Sequence, residues 1–239
     1  MHQTREATAV GMLGSLTRFV MLRRAALGTA GVVALGLARR EQAFASASGA
    51  APTDAALGAL WGEAIDGMIN VPGCEELSHD GVLYLAPTKG APPPVKWPKI
   101  IGKSVIYSLT GWNPMGKDAP HEQNLAANQR LQQDLAEWKG MNTRPRAWWH
   151  SFGFNEKEGW REDGFSVAFA PEERRFAKQC MQKLGYKYHQ AAIYAYRVDK
   201  EGVLWREVVW VNPAHEHKNT EEAMMLLRKP PRSKLAGKV

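Results

Sequence analysis

Two helical segments set among strands rich in β-branched and aromatic residues predict an α+β fold: a mostly antiparallel sheet with two helices on one face. The element order reads β-α-β-β-α-β plus one strand, which contains the split β-α-β unit of a ferredoxin-like arrangement. Connections of hairpin length between later strands favour antiparallel pairing.

The elements follow in order. Residues 53–69, "TDAALGALWGEAIDGMI", place Leu57, Leu60, Trp61, Ala64, Ile65 and Met68 at helical spacing and predict a short amphipathic helix. Residues 82–85 predict a strand, closed by "APPPVKWP", whose consecutive prolines favour an extended arm. A domain boundary is placed near Lys99. "KSVIYSLTGW" is the first strand of the main domain, and Asp118 and Pro120 announce a helix that runs to about Lys139. "RAWWHSFGFNE" and "DGFSVAFA" are the next two strands. Pro171-Glu172-Glu173 opens a second helix with Phe176, Cys180, Met181 and Leu184 on one face and Gly185 as its stop. "QAAIYAYRV" and "LWREVVWV" are two strands joined by the turn "DKEG". "TEEAMMLLRK" reads as a weak helix ahead of a basic end. The predicted organisation is 1–45 targeting segment, 46–98 helix and Pro-rich arm, 99–213 α+β domain and 214–239 basic tail.

The 239 residues carry a net charge of +7, but six arginines against two glutamates in residues 1–45 account for +4 of it. What remains is nearly neutral, so no nucleic acid partner is expected. Nine tryptophans, among them Trp148, Trp149, Trp205 and Trp210, are read as core residues of strands and not as base-stacking platforms. Arg23-Arg24, the apolar run from Ala25 to Ala38 and Ala43-Phe44-Ala45 have the layout of a cleaved, twin-arginine-like export signal. The predicted destination is the chloroplast thylakoid lumen, with the bacterial periplasm as the alternative. The run is shorter than the roughly 20 residues a membrane-spanning helix needs, so the mature chain is expected to lack a transmembrane anchor. Cys74 and Cys180 are consistent either with one disulfide or with two unpaired thiols.

The residues most suggestive of a site are amides. Asn124 and Asn128 continue the helical stripe of Leu131, Leu135 and Trp138, where core side chains belong. Buried amides require partners. With Asn113, they converge where the first strand of the domain ends and its helix begins. One reading is that they tie the loop to the helix. The other is a polar pocket near a helix N-terminus, suited to an anion or carbonyl, with Lys117 and Arg161 supplying charge. The candidate ligand-binding set is Asn113, Lys117, Asn124, Asn128, Trp160, Arg161 and Glu162. Glu162 and Asp163 are adjacent, so on a strand they face opposite ways and cannot act together as a general acid/base pair. His215-Glu216-His217 lacks a third metal ligand, and no nucleophile elbow, cofactor loop or metal cluster is evident.

These residues also carry a family resemblance. Trp112-Asn113-Pro114, the spacing of Asn124, Asn128, Leu131 and Leu135, the run Trp160-Arg161-Glu162-Asp163, and Gly185 with "QAAI" at 190–193 resemble the bacterial domain family of unknown function DUF3293. The resemblance spans about residues 100–211, and Ala127 stands where that family usually has Arg. It implies a domain, not an activity. The expected function is therefore an exported, non-catalytic module that binds a small polar or anionic ligand or a protein partner at an Asn-lined site. The alternatives are a small hydrolase or isomerase using Glu162 or Asp163 as base, and an interaction subunit of a membrane-associated complex. The sequence names no cofactor.

Overall fold

The computed structural model describes residues 61–113, 118–139, 142–212 and 219–238. The export signal, Lys117 and His215-Glu216-His217 lie outside the described residues. Eight strands form one closed antiparallel barrel: β1 Ile65–Ile69, β2 Val82–Thr88, β3 Val105–Thr110, β4 Ala147–Asn155, β5 Trp160–Phe169, β6 Ala192–Val198, β7 Leu204–Trp210 and β8 Glu221–Leu226. Their order around the barrel is β1-β2-β8-β7-β6-β3-β5-β4, and β4 pairs back onto β1 through Asp66↔Gly153 and Met68↔Ser151. The helices are α1 Lys99–Gly102, α2 His121–Ala136 and α3 Arg174–Lys187.

This corrects the expected fold class. The protein is not a ferredoxin-like α+β sheet with two helices on one face, because the sheet does not end at β4 and β7. The segments read as the first and last helices contain strands β1 and β8, which join β2 in bridging those two edges. "EAMML" is made of good helix formers, and Leu57 to Met68 has helical spacing, yet closure satisfies the backbone groups that two open edges would leave unpaired. Tertiary pairing overrides local preference. The barrel draws staves from both sides of Lys99.

Alternation along each strand divides the core in two. Val105, Tyr107 and Leu109 of β3, Phe165, Val167 and Phe169 of β5, and Ile193 and Ala195 of β6 face outward under α2 and α3, meeting Leu131, Leu135, Ala177 and Met181. Burying such a leucine stabilises by about 1.5–3 kcal/mol, so the buried stripe, more than propensity, holds these helices in place. Gly185 does not stop α3, which continues to Lys187. A Cβ there would lie 2.8 Å from Val211 Cγ2 and 3.2 Å from Ile193 Cγ2, so glycine sets how closely α3 approaches the barrel.

The other face of each strand points into the barrel. Met68, Leu83, Leu85, Ile106, Trp149, Ala168, Tyr196, Leu204, Met224 and Leu226 form one apolar cluster with Val71, Cys74 and Ile101 of α1. Trp97 packs on this cluster and donates its indole N–H to the carbonyl of Gly202, in the β6–β7 turn, at 3.0 Å. The apolar fill thus occupies the end of the barrel near that turn. Cys74 and Cys180 are both free thiols. Burial, with the Glu75 charge, pushes the Cys74 thiol up to about 11. The C-terminal segment crosses the outer wall, where Leu235 and Ala236 pack against Val82, Tyr84, Phe152 and Phe154.

Candidate functional site

The amides are explained by the loop that leaves β3. Asn113 has φ +46°, a left-handed conformation that asparagine tolerates better than most residues. Its backbone N–H donates to Asn124 Oδ1 at 3.0 Å, and Asn124 Nδ2 donates to Asn113 Oδ1 at 3.1 Å and to the Ala119 carbonyl at 3.3 Å. Asn128 Oδ1 accepts from the Gly111 N–H at 2.8 Å, while its Nδ2 donates to the Asp163 carbonyl at 2.6 Å. Loop and helix touch at Gly111, where a Cβ would fall 2.9 Å from the Ala127 carbonyl carbon. Asn124 and Asn128 therefore stitch β3, β5 and α2 together. On the outer side, Asn124, Ala127, Arg130, Asp134 and Tyr188 line a surface furrow.

Inside the barrel, beyond its apolar half, lies a cavity of about 90 Å³. That is several times the about 10–15 Å³ that one water requires. Three of the sequence-predicted residues line it: Asn113, Trp160 and Glu162. Glu162 and Trp160 point inward because β5 alternates, and Asn113 Nδ2 donates to Glu162 Oε1 at 2.8 Å. Arg161 and Asp163 project from the outer face. There Arg161 Nη2 meets Asp163 Oδ1 at 2.7 Å, Arg161 Nη1 donates to the carbonyls of Leu235 and Gly237, and its guanidinium covers the Phe152 ring at 3.8 Å. Arg161 anchors the C-terminal segment and supplies no charge to the cavity.

The lining also includes residues that sequence reasoning missed as site residues, among them Asp66, Ser108, Ser151, Tyr194 and Tyr196 on the strands, and Trp61 at the end of a helical segment before β1. Two backbone features open the space. Gly164 is required where β5 pairs closely with the end of β3, since a Cβ would lie 2.3 Å from the Leu109 carbonyl oxygen. Gly153 leaves a void: a Cβ there would sit 3.7 Å from Asp66 Oδ1 and 3.8 Å from Trp160, in ordinary contact.

Behind the cavity lies Arg206, with a fully buried side chain. Its guanidinium bonds Asp66 Oδ2 at 2.7 Å, Glu222 Oε1 at 2.5 Å and the carbonyls of Trp61, Gly62 and Ala64, and it stacks on the Tyr194 ring at 4.7 Å. The Tyr194 hydroxyl donates to the Trp61 carbonyl at 3.1 Å. These bonds fix the 61–64 turn across the polar end of the barrel. Burial pushes the Asp66 carboxyl up from its usual range against the pull of Arg206 and the Tyr196 hydroxyl. Burial also raises the hydroxyls of Tyr194 and Tyr196, which stay neutral donors. One signal for Arg206 was available in the sequence: in "LWREVVWV" it shares the inward side with Leu204, Val208 and Trp210.

No curated protein and no solved structure matches the chain. Residues 109–193, from the end of β3 to the start of β6, match the model of the family described as "Protein of unknown function (DUF3293)", and over that stretch the chain is similar to it.

Proposed function

We propose that the protein is a non-catalytic module that binds a small polar molecule inside its barrel, exported to the thylakoid lumen or a periplasm by residues 1–45. The observation that carries this reading is the cavity at the polar end, where Glu162, Asn113 and strand hydroxyls meet the aromatic walls Trp61, Trp160 and Tyr194. Small eight-stranded barrels have interiors of the right width for one such ligand. The amides Asn124 and Asn128 support the site from outside by holding the loop that presents Asn113.

Substitution of Gly153 tests the reading. Gly153→Ala adds a Cβ in ordinary contact, whereas Gly153→Leu fills the void between Asp66 and Trp160. Thermal shift across a panel of small metabolites should show stabilisation of the native protein by members of one chemical class. That response should weaken in Gly153→Ala and vanish in Gly153→Leu. Ligand responses unchanged in a folded Gly153→Leu protein would move the binding site out of the barrel.

A second reading, a hydrolase or isomerase with Glu162 as base, draws on the 2.8 Å contact between that carboxylate and the Asn113 amide. Asp163 has no part in it, since it faces Arg161 on the outer wall.

A further inference from the structure

We propose that the segment after β8 is a basic strap that docks the barrel onto an anionic lipid bilayer surface. The proposal concerns the outer wall and goes beyond the small-ligand reading of the cavity, so either can stand without the other.

The charge comes first. Between Leu227 and Val239 the sequence places five basic residues, Arg228, Lys229, Arg232, Lys234 and Lys238, and no Asp or Glu. Residues 46–227 hold 20 basic residues against 22 acidic ones. The positive charge that remains beyond residue 45 is therefore concentrated in this one segment. All five basic residues are exposed, while Pro231, Ser233, Leu235, Ala236 and Gly237 among them are half-buried.

The strap is also fixed in place. Arg161 Nη1 donates to the carbonyls of Leu235 and Gly237 at 2.7 and 2.8 Å, and the Gly237 backbone bonds the Tyr84 hydroxyl. Leu235 and Ala236 pack on the wall formed by Val82, Tyr84, Phe152 and Phe154. At one end the Leu227 N–H donates to the Tyr84 carbonyl at 3.0 Å, and at the other Lys238 Nζ donates to Asn70 Oδ1 at 3.4 Å. This anchoring presents the basic side chains as a stripe along the barrel. The ordering entropy that a loose tail would lose on docking has already been lost on folding.

A stripe of cations fits an anionic surface, and its shape favours a bilayer over nucleic acid. The major groove of a duplex takes a helix or a two-stranded ribbon. Here a single segment, with two carbonyls engaged by Arg161, lies flat against the wall. Its cations are unevenly spaced along the chain. Laterally mobile headgroups can gather beneath each of them, whereas duplex phosphates stand at fixed intervals. Each Lys or Arg close to an anionic leaflet raises the partition coefficient roughly fivefold. Arg228, Lys229, Arg232 and Lys234 together thus give reversible attachment without a membrane-spanning helix.

Co-sedimentation of the full chain with lipid vesicles tests the docking. The protein should bind vesicles made of equal parts phosphatidylcholine and phosphatidylglycerol, and not vesicles of phosphatidylcholine alone. Raising salt should weaken that binding. Lys229→Glu, Arg232→Glu and Lys234→Glu combined should weaken it by about tenfold or more, and Gln at the same three positions by less. Residues 1–45 are identical in all three proteins, so any contribution of their arginines cancels. Because the substituted side chains are exposed, thermal unfolding and the metabolite responses should stay native. Binding to the mixed vesicles that survives charge reversal, or that matches binding to pure phosphatidylcholine, would overturn the proposal. Tighter binding to a DNA duplex than to the mixed vesicles, at equal concentration of anionic charge, would overturn the choice of a bilayer. None of these outcomes touches the cavity reading.

Discussion

Arg206→Met is the sharpest perturbation of the barrel. The arginine side chain is fully buried, and the more deeply buried of its two charged partners, Asp66, is 5% exposed. Methionine preserves most of the aliphatic volume but removes every bond to Asp66, Glu222 and the carbonyls of Trp61, Gly62 and Ala64. The Glu222 side chain, 27% exposed, can be reached by water, whereas Asp66 becomes a buried carboxylate without a countercharge. Breaking a buried pair by removing one partner costs about 3–5 kcal/mol. For a chain of this size each kcal/mol moves the melting temperature by about 2–4 °C, so the loss should be roughly 6–20 °C. The sign of the pH dependence follows from Asp66. Burial already raises its carboxyl, and losing Arg206 raises it further. The folded variant then holds a proton that the unfolded chain releases near the ordinary value of 3.8. Its stability is therefore greatest below that value and falls as pH rises through the folded one. Thermal unfolding of native and variant protein at several pH values between 4 and 7 measures this as a difference that widens with pH. Adding Asp66→Asn should recover part of the loss at neutral pH. A cost below about 1 kcal/mol, flat across that range, would refute the claim that Asp66 depends on Arg206.

Two further outcomes bear on the supports around the cavity. Asn128→Leu should destabilise by about 1–3 kcal/mol in denaturant titration, because it strands the Gly111 N–H and removes a bond to the Asp163 carbonyl; stabilisation instead would mean the amide tie contributes nothing. Asp134 links the two long helices through Lys187 Nζ at 2.6 Å and the Tyr188 hydroxyl at 2.7 Å. Burial pushes its carboxyl up, but these bonds outweigh that and lower it from 3.8. Its contribution is thus present above about that value and lost as pH falls through the folded one. Partial exposure limits Asp134→Asn to about 0.5–1 kcal/mol at pH 7, and native and variant curves should converge toward pH 2.

How much of this was legible depends on which neighbours a segment has. Between Val105 and Trp210 the strands and both long helices stand close to where their periodicity placed them, since there local pattern and tertiary environment agree. In "AIYAYRV" both faces are apolar or aromatic, a sign that both are covered: Ile193 and Ala195 lie under the helices, Tyr194 and Tyr196 inside the barrel. Strands β1 and β8 were not legible, because five or six residues with helix-forming composition are recruited by edges far away in sequence. Their loss from the reading removed barrel closure, and with it Asp66, the partner that explains an inward Arg206. The cavity was glimpsed only from its β3–β5 side, through Asn113, Trp160 and Glu162.

The odd amides acquire their meaning from that geometry. A leucine at Asn124 or Asn128 would pack, but it would not accept from the Asn113 or Gly111 N–H. Without those acceptors the loop would lose the bonds that hold Asn113 left-handed, with its Oδ1 bound by Asn124 Nδ2 and the Ala119 N–H. Fixing Oδ1 on the helix side leaves Nδ2 to reach Glu162. The helix thus sacrifices apolar burial at two positions to set the orientation of one amide, and that amide sets the carboxylate on the cavity wall. Asn124 and Asn128 are positioning residues: they never touch the cavity's contents, and they act on them through Asn113.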